Sequence, residues 1–333
     1  MAEEIMIKDS GISSRRNKAI SVIIPTKDRL QDLKRCVGEL LPQMSNNDEL
    51  IIIDNGSLDG TVGFIKGLEK KYHQVRFIFD TTKNLPHLFN IGLESASCEY
   101  IGFLNDDTLP SSTWVEDIKK WFELIPEADC IGGATFDQNN RISTNILKGN
   151  GMVTRIYDKI VLGGILNEVG VLTDFGGYSV GVQEPSKPIH VTGLTITNMA
   201  ARAILFSEVG TFNEFFSYSN YDGFFFISLQ KHGKKIYLVP GATVKHYPNP
   251  GGATRSSYHL SADYAKFYLS LKPSMFKSRI RLFLLCVSYI VLWFILFHKD
   301  KEVIRNALKG FKDGFVSFRS FQKTKRGGVY PMK

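Results

Sequence analysis

Cysteine is scarce: Cys36, Cys98, Cys130 and Cys286 are the only four in 333 residues, and no two stand in C-x-x-C spacing. Such scatter points to neither a zinc site nor a disulfide framework, and it fits a reducing compartment. An apolar core of signal-peptide length is also lacking at the start, where residues 1–18 mix acids, bases and Ser, so nothing there marks the chain for secretion. There is no internal repeat and no low-complexity segment. The balance of 43% hydrophobic and 22% charged residues is that of an ordinary globular protein, long enough for one large domain plus an appendage or for two domains.

Acidic charge is thin at one end. The net charge is +8, yet residues 272–333 hold 14 Lys and Arg against 3 Asp and Glu, while residues 1–271 are slightly acidic. A basic tail beside a mildly acidic body argues against a nucleic-acid binder and for a localised anionic partner.

What is present is a regular alternation. Ser21-Val22-Ile23-Ile24-Pro25, Glu49-Leu50-Ile51-Ile52-Ile53, residues 75–79 and Tyr100-Ile101-Gly102-Phe103-Leu104 are short β-branched or aromatic runs, each reading as a buried strand. Between them, Leu30, Leu33, Val37, Leu40 and Leu41 recur at helical spacing, and further helices are expected from Thr61 through Leu68 and over residues 88–97. Strand and helix alternating at this pace predict βαβ units in a doubly wound, mostly parallel sheet with right-handed crossovers. A helix follows from Trp114 to Phe122. Residues 136–190, rich in Gly and Asn, read as short irregular strands and a mobile loop. A helix is expected over residues 199–209 and another over 222–232, then two closing strands over 235–240 and 242–246.

The fourth strand stops on Asn105-Asp106-Asp107, with Pro110 three residues later where a helix can begin. Two acids therefore sit at a strand's carboxyl end. In an open α/β sheet ligands bind at that edge, and adjacent carboxylates there suit a hard divalent cation that also touches phosphate oxygens.

Several pieces together resemble the family-2 inverting glycosyltransferases. Ser21-Val22-Ile23-Ile24-Pro25-Thr26-Lys27-Asp28-Arg29 is similar to that family's opening strand and nucleotide loop, and Asp54-Asn55-Gly56-Ser57-Leu58-Asp59-Gly60-Thr61 to its D-(D/N)-G-S-x-D-G-T element. Asn90-Ile91-Gly92, Leu104-Asn105-Asp106-Asp107, Val191-Thr192-Gly193, Val209-Gly210-Thr211-Phe212-Asn213-Glu214 and Lys231-His232-Gly233 extend the likeness over roughly residues 20–250. The resemblance implies a GT-A fold, Rossmann-like with helices flanking a mostly parallel sheet, and a nucleotide-sugar donor, most often a UDP-sugar. It implies Mn²⁺ or Mg²⁺ held by Asp107, with His246 as a further ligand and Asp106 contacting the metal through water or the donor ribose. Asp54 would accept from the base, while Pro25, Thr26, Asp28 and Lys83 would line the nucleotide pocket. Asp222 stands at the family's general-base position, with Tyr221 and Phe224 replacing the neighbouring acids; Asn105 replaces the first acid of the D-x-D element. Several of these residues also have a plainer reading: Asp54, Asp106-Asp107 and Asp222 as turn or helix caps, Lys83 as a solvated side chain, His246 as a structural histidine.

Residues 282–297 carry no charge, but sixteen residues span about 24 Å, short of the roughly 30 Å hydrocarbon core. Basic residues flank them on both sides, which favours an embedded or re-entrant element at an anionic leaflet over a full span. The chain divides into a flexible start (1–19), a catalytic domain (20–257) and a helical membrane-association region (258–333) that resembles the extension of bacterial enzymes building surface polysaccharide. A glycan or lipid-linked glycan acceptor at the cytoplasmic side of the cell membrane follows from that likeness. A silent sugar-nucleotide or glycan-binding module and a sugar nucleotidyltransferase are the competing readings. The nucleotidyltransferase would need a Gly-rich, basic N-terminal loop, which is missing.

Overall fold

A computed structural model describes residues 19–82, 84–136, 184–191, 193–247, 257–270 and 300–324. Lys83, most of the Gly- and Asn-rich region (137–183), the loop 248–256 with Arg255, and the apolar run 282–297 lie outside the described residues.

The four apolar runs become β1 (Ile20–Thr26), β2 (Glu49–Asp54), β3 (Val75–Phe79) and β4 (Tyr100–Leu104), all parallel in the order β3-β2-β1-β4. Helices α1 (Leu30–Leu40), α2 (Thr61–Lys71) and α3 (Leu85–Ser95) make the crossovers. Residue parity decides which face each side chain meets. Ile20, Val22, Ile24, Leu50 and Ile52 join α1, α2 and the helix α4 (Trp114–Leu124) in one apolar cluster. Ile23, Ile51, Ile53, Ile101 and Phe103 join α3 on the other face. Burial on both faces explains the unbroken apolar runs, each wholly buried Ile contributing roughly 1.5–3 kcal/mol.

Beyond β4 the sheet continues as β4-β9-β6-β10-β8, with β6 (Cys130–Gly132), β8 (Ile189–Val191), β9 (Asn198–Arg202) and β10 (Ile236–Leu238). β9 runs antiparallel to both neighbours. This corrects the helix expected over 199–209: only α5 (Ile204–Val209) is helical. Met199, Ala200 and Ala201 favour helix by propensity, yet between β4 and β6 the segment pairs as a strand, with Met199 and Ala201 buried in one apolar cluster and Ala200 in the other.

A second sheet of three short strands, β5 (Thr108–Pro110), β11 (Val244–His246) and β7 (Thr135–Phe136), lies in the order β5-β11-β7. Pro110 therefore ends an edge strand, where its missing N–H costs nothing, and the helix begins four residues later at Trp114. Helix α6 (Tyr221–Lys231) packs Phe225, Phe226 and Leu229 into the α3-side cluster. Two further helices, α7 (Ser257–Ser270) and α8 (Lys301–Thr324), lie against each other. Among the described residues no helix is long and apolar enough to cross a membrane.

Candidate active site

Because β2, β1 and β4 are parallel neighbours, their carboxyl ends bring Asp54, Thr26 and Asp106-Asp107 to one edge of the sheet. Thr26 Oγ1 donates to Asp106 Oδ2 at 2.8 Å. Arg29, first residue beyond the β1 turn, places Nη1 3.1 Å from Asp106 Oδ1 and 2.6 Å from Asp107 Oδ2. Both acids are buried. Burial, and then the charge of Asp107, push Asp106 up to about 7 despite Arg29 and the Thr26 hydroxyl. Asp107 moves the other way. Burial opposes its ionisation, but His246 and Arg29 outweigh that and hold its pKa below the usual carboxylate range.

The small sheet sets this second contact. Antiparallel pairing of β11 with β5 puts His246 opposite Thr108, and Tyr247 N donates to the Asp107 carbonyl at 2.9 Å. His246 Nε2 then stands 3.2 Å from Asp107 Oδ1, at ion-pair distance but without hydrogen-bond geometry. Asp107 Oδ1 is thus a buried acceptor with no hydrogen bond among the described residues. Two carboxylates and an imidazole are the right donors for Mn²⁺ and, less so, Mg²⁺. As the side chains stand, no group of three among the described residues is arranged to hold a metal ion. Arg29 supplies the positive charge instead. The donor set fits a divalent ion in chemistry, with Arg29 as the group that must share the carboxylates or yield them.

Asp54 is fully buried at the end of β2. Its Oδ2 accepts from the N–H groups of Gly56 and Ser57, each at 3.0 Å, so the expected turn cap is present. Its Oδ1 has no hydrogen-bond partner among the described residues, an arrangement that costs about 1–3 kcal/mol unless something donates to it. Asn55 holds the next loop by donating to the carbonyls of Asp80 and Thr82 at 2.8 and 2.9 Å.

Asp28 joins loops. At φ 50° it takes the left-handed conformation, receives Leu58 N at 2.7 Å, and its own N–H donates to Ser57 Oγ at 2.8 Å. Asp59 reciprocates by accepting from Leu30 N at 2.9 Å. Pro25 is buried within β1, opposite Ile53. Lys83 lies outside the described residues.

Asp222 sits half-buried in the first turn of α6 and accepts from Gly223 N at 2.9 Å. Tyr221 beside it is a core residue, its ring 5.7 Å from that of Phe212 and 6.1 Å from that of Phe89. Phe224 leans on Phe216 at 5.5 Å. The two positions where acids were expected are therefore apolar for packing reasons, and Asp222 is the one carboxylate at that helix start. The loop before it is held from α3: Asn90 Nδ2 donates to Phe212 O and Glu214 Oε1, each at 2.8 Å, and Asn90 Oδ1 accepts from Phe212 N at 3.0 Å. Gly92 lets α3 lie directly on β1, since a Cβ there would come within 2.6 Å of Ile23.

No motif in the sequence gives Arg29 a role of its own. The one signal for it was a lone cation in the loop at the carboxyl end of β1, across the sheet edge from two acids.

Residues 21–170 match the model of glycosyl transferase family 2. The match holds β1 to β7 with Asp54, Asp106 and Asp107, and marks this segment as a glycosyltransferase domain; Asp222 and His246 lie beyond it. Glycosyltransferase GlyA of Streptococcus pneumoniae is 24% identical over 142 residues, 42% of this chain and 20% of that protein. Glycosyltransferase AglE of Haloferax volcanii is 26% identical over 100 residues, 29% of this chain and 33% of that protein. An uncharacterized glycosyltransferase of Escherichia coli, YibD, is 32% identical over 141 residues, 40% of this chain and 41% of that protein. The chain spans less than half the length of each of these relatives.

Proposed function

We propose that this chain is an inverting glycosyltransferase that moves a sugar from a nucleotide donor, preferably a UDP-sugar, to a glycan or lipid-linked glycan acceptor. The observation that carries the reading is Asp54 Oδ1, a buried carboxylate oxygen with no hydrogen bond among the described residues, two strands from a carboxylate pair on the same sheet edge. Two strand spacings amount to roughly 10 Å, a span that a nucleoside can bridge. Asp54 accepts the imide N–H of uracil. A Mn²⁺ or Mg²⁺ ion would be held by Asp107 and His246, with Asp106 contacting it through water or the donor ribose, and would supply positive charge for the departing nucleotide.

On the acceptor side Asp222 takes the hydroxyl proton as that oxygen bonds to the anomeric carbon and the carbon–oxygen bond to the diphosphate breaks. Asp222→Asn should lower turnover roughly 10²- to 10⁴-fold and leave UDP affinity unchanged. The deciding experiment is a panel of sugar nucleotides, with and without Mn²⁺, reading nucleotide-diphosphate release and the anomeric configuration of the product. Absence of turnover from every donor defeats the reading, and retention of configuration defeats the inverting mechanism.

The same proposal makes residues 258–333 a membrane-association region at the cytoplasmic face. Lys301, Arg305, Lys309 and Lys312 are exposed at helical spacing along α8, a basic stripe that supports contact with an anionic surface, each residue contributing on the order of 1 kcal/mol. Flotation with phosphatidylglycerol vesicles, and none with phosphatidylcholine vesicles, is the expected result.

A further inference from the structure

The loop that delivers Asp222 is held from an unexpected side. Asp263, on α7, is fully buried, and its carboxylate receives three consecutive backbone N–H groups. Ser217 N lies 3.0 and 3.1 Å from its two oxygens, and Tyr218 N and Ser219 N lie 2.7 and 3.0 Å from Oδ2. Lys266, one turn along α7, places Nζ 3.1 Å from Asp263 Oδ1 and 3.4 Å from Ser217 Oγ. Successive N–H groups converging on one point form an anion nest, and here the chain fills it with its own carboxylate. Paired and hydrogen-bonded in this way, a buried charge is tolerated; a loop without it has three inward N–H groups and no acceptor.

The nest ends at Ser219. Asn220 follows at φ 60°, α6 starts at Tyr221, and Asp222 is next. On its other side the loop is tied to α3, where Asn84 Nδ2 donates to Glu214 O at 2.8 Å and Phe216 O at 2.9 Å, and Leu85 N donates to Ser217 O at 2.8 Å. Asp263 therefore closes a clamp whose free end is the first turn of α6. α7 is in turn fixed by α8. A Cβ at Gly310 would come within 2.0 Å of Tyr258 O, and one at Gly314 within 2.4 Å of Ala262 O, so the two backbones are in direct contact.

We infer that Asp263 is a positioning residue for Asp222: through the 217–219 nest it sets where the base stands, and it makes the C-terminal helical pair part of the acceptor site. The inference rests on the glycosyltransferase reading above. Asp263 touches no reacting atom, and it acts on the step in which Asp222 receives the acceptor proton.

The test uses the full chain with Asp263→Asn, whose amide turns donor hydrogens toward the nest, and Asp263→Glu, which restores the charge. In Asp263→Asn, amide exchange at 217–224 should rise about tenfold, the loss of one good hydrogen bond, while β1 and β2 keep their protection. Turnover should fall about 10- to 100-fold, as for a misplaced catalytic group, with the Kd for UDP unchanged and with partial recovery in Asp263→Glu. Unchanged exchange at 217–224 overturns the inference. So does a UDP affinity that falls in step with turnover, because the effect is then general loosening. A wild-type chain that binds UDP yet releases it from no sugar nucleotide defeats the transferase reading itself, and the exchange data keep that failure separate from the failure of the clamp.

Discussion

Arg29 Nη1 lies 2.6 Å from Asp107 Oδ2, so the carboxylate with the strongest claim on a metal ion already has a cation against it. The same nitrogen reaches Asp106 at 3.1 Å. Two buried acids side by side repel, and in this state His246 and then the Arg29 guanidinium keep Asp107 ionised, while burial and the charge of Asp107 push Asp106 toward protonation. Arg29 and a divalent ion would draw on the same oxygens.

Replacing Arg29 should separate their contributions. Arg29→Met leaves the two acids with only His246 and the Thr26 hydroxyl beside them, and loss of one partner from a largely buried ion pair costs on the order of 3 kcal/mol. The variant should melt well below wild type in chelator, and Mn²⁺ should raise its Tm by more than it raises that of the wild type. Equal Mn²⁺-induced shifts in the two proteins would show that Arg29 does not compete for the carboxylates.

Asp54→Asn tests the other end of the donor site. The amide oxygen can still cap Gly56 and Ser57, which leaves the amide nitrogen, itself a donor, where Oδ1 stood. A charge-assisted hydrogen bond contributes about 1.5–3 kcal/mol, so UDP should bind roughly 10- to 100-fold more weakly by calorimetry, with only a small change in Tm. Preference for UDP over CDP should shrink as well, since cytosine carries no imide N–H for Asp54 to accept.

His87 supplies a pH dependence. It stands between Glu214 Oε2 at 3.2 Å from Nδ1 and Asp80 Oδ2 at 3.4 Å from Nε2, linking the start of α3 to two loops. Burial alone would lower its pKa, but Glu214 and then Asp80 outweigh it and raise the value. A raised folded-state pKa means that the charged ring stabilises the fold fully below about 6.5, and that the gain disappears as pH rises through the folded value. The Tm difference between wild type and His87→Asn should therefore be largest at acidic pH and fade above neutrality. A difference that grows toward pH 8 would contradict the assignment.

Much of this sheet edge was legible in the chain because a parallel sheet buried on both faces writes itself as β-branched runs, and the acids that end those runs fall on one edge. Asp54, Asp106 and Asp107 needed only that rule. β9 was not legible: Met199-Ala200-Ala201 favours helix locally, and only the vacant slot beside β4 makes it a strand. Arg29 reaches Asp106 across 77 residues of sequence, and Asp263 reaches Ser217 across 46. Neither contact leaves a periodicity or a spacing to read. The unusual Tyr221 was visible as a departure from a pattern, but its cause, packing against Phe89 and Phe212, exists only in the folded chain.

Gly314→Leu probes the C-terminal helices from α8 and leaves Asp222 and Asp263 themselves unaltered. A side chain at that position meets Ala262 O, a backbone atom that cannot turn aside, and Ala265 Cβ at 3.0 Å. α7 and α8 must then separate. Overpacking of this kind costs about 1–3 kcal/mol, which differential scanning calorimetry can register. Asp263 lies one residue beyond Ala262 on α7, so a shifted α7 should draw its carboxylate out of the 217–219 nest. The expected outcome is faster amide exchange at 217–219 and reduced turnover, with UDP affinity preserved because the donor edge is built by β1, β2 and β4. If Gly314→Leu lowers Tm while the nest amides stay protected, α7 holds its place without α8, and the hold on Asp222 ends at Asp263.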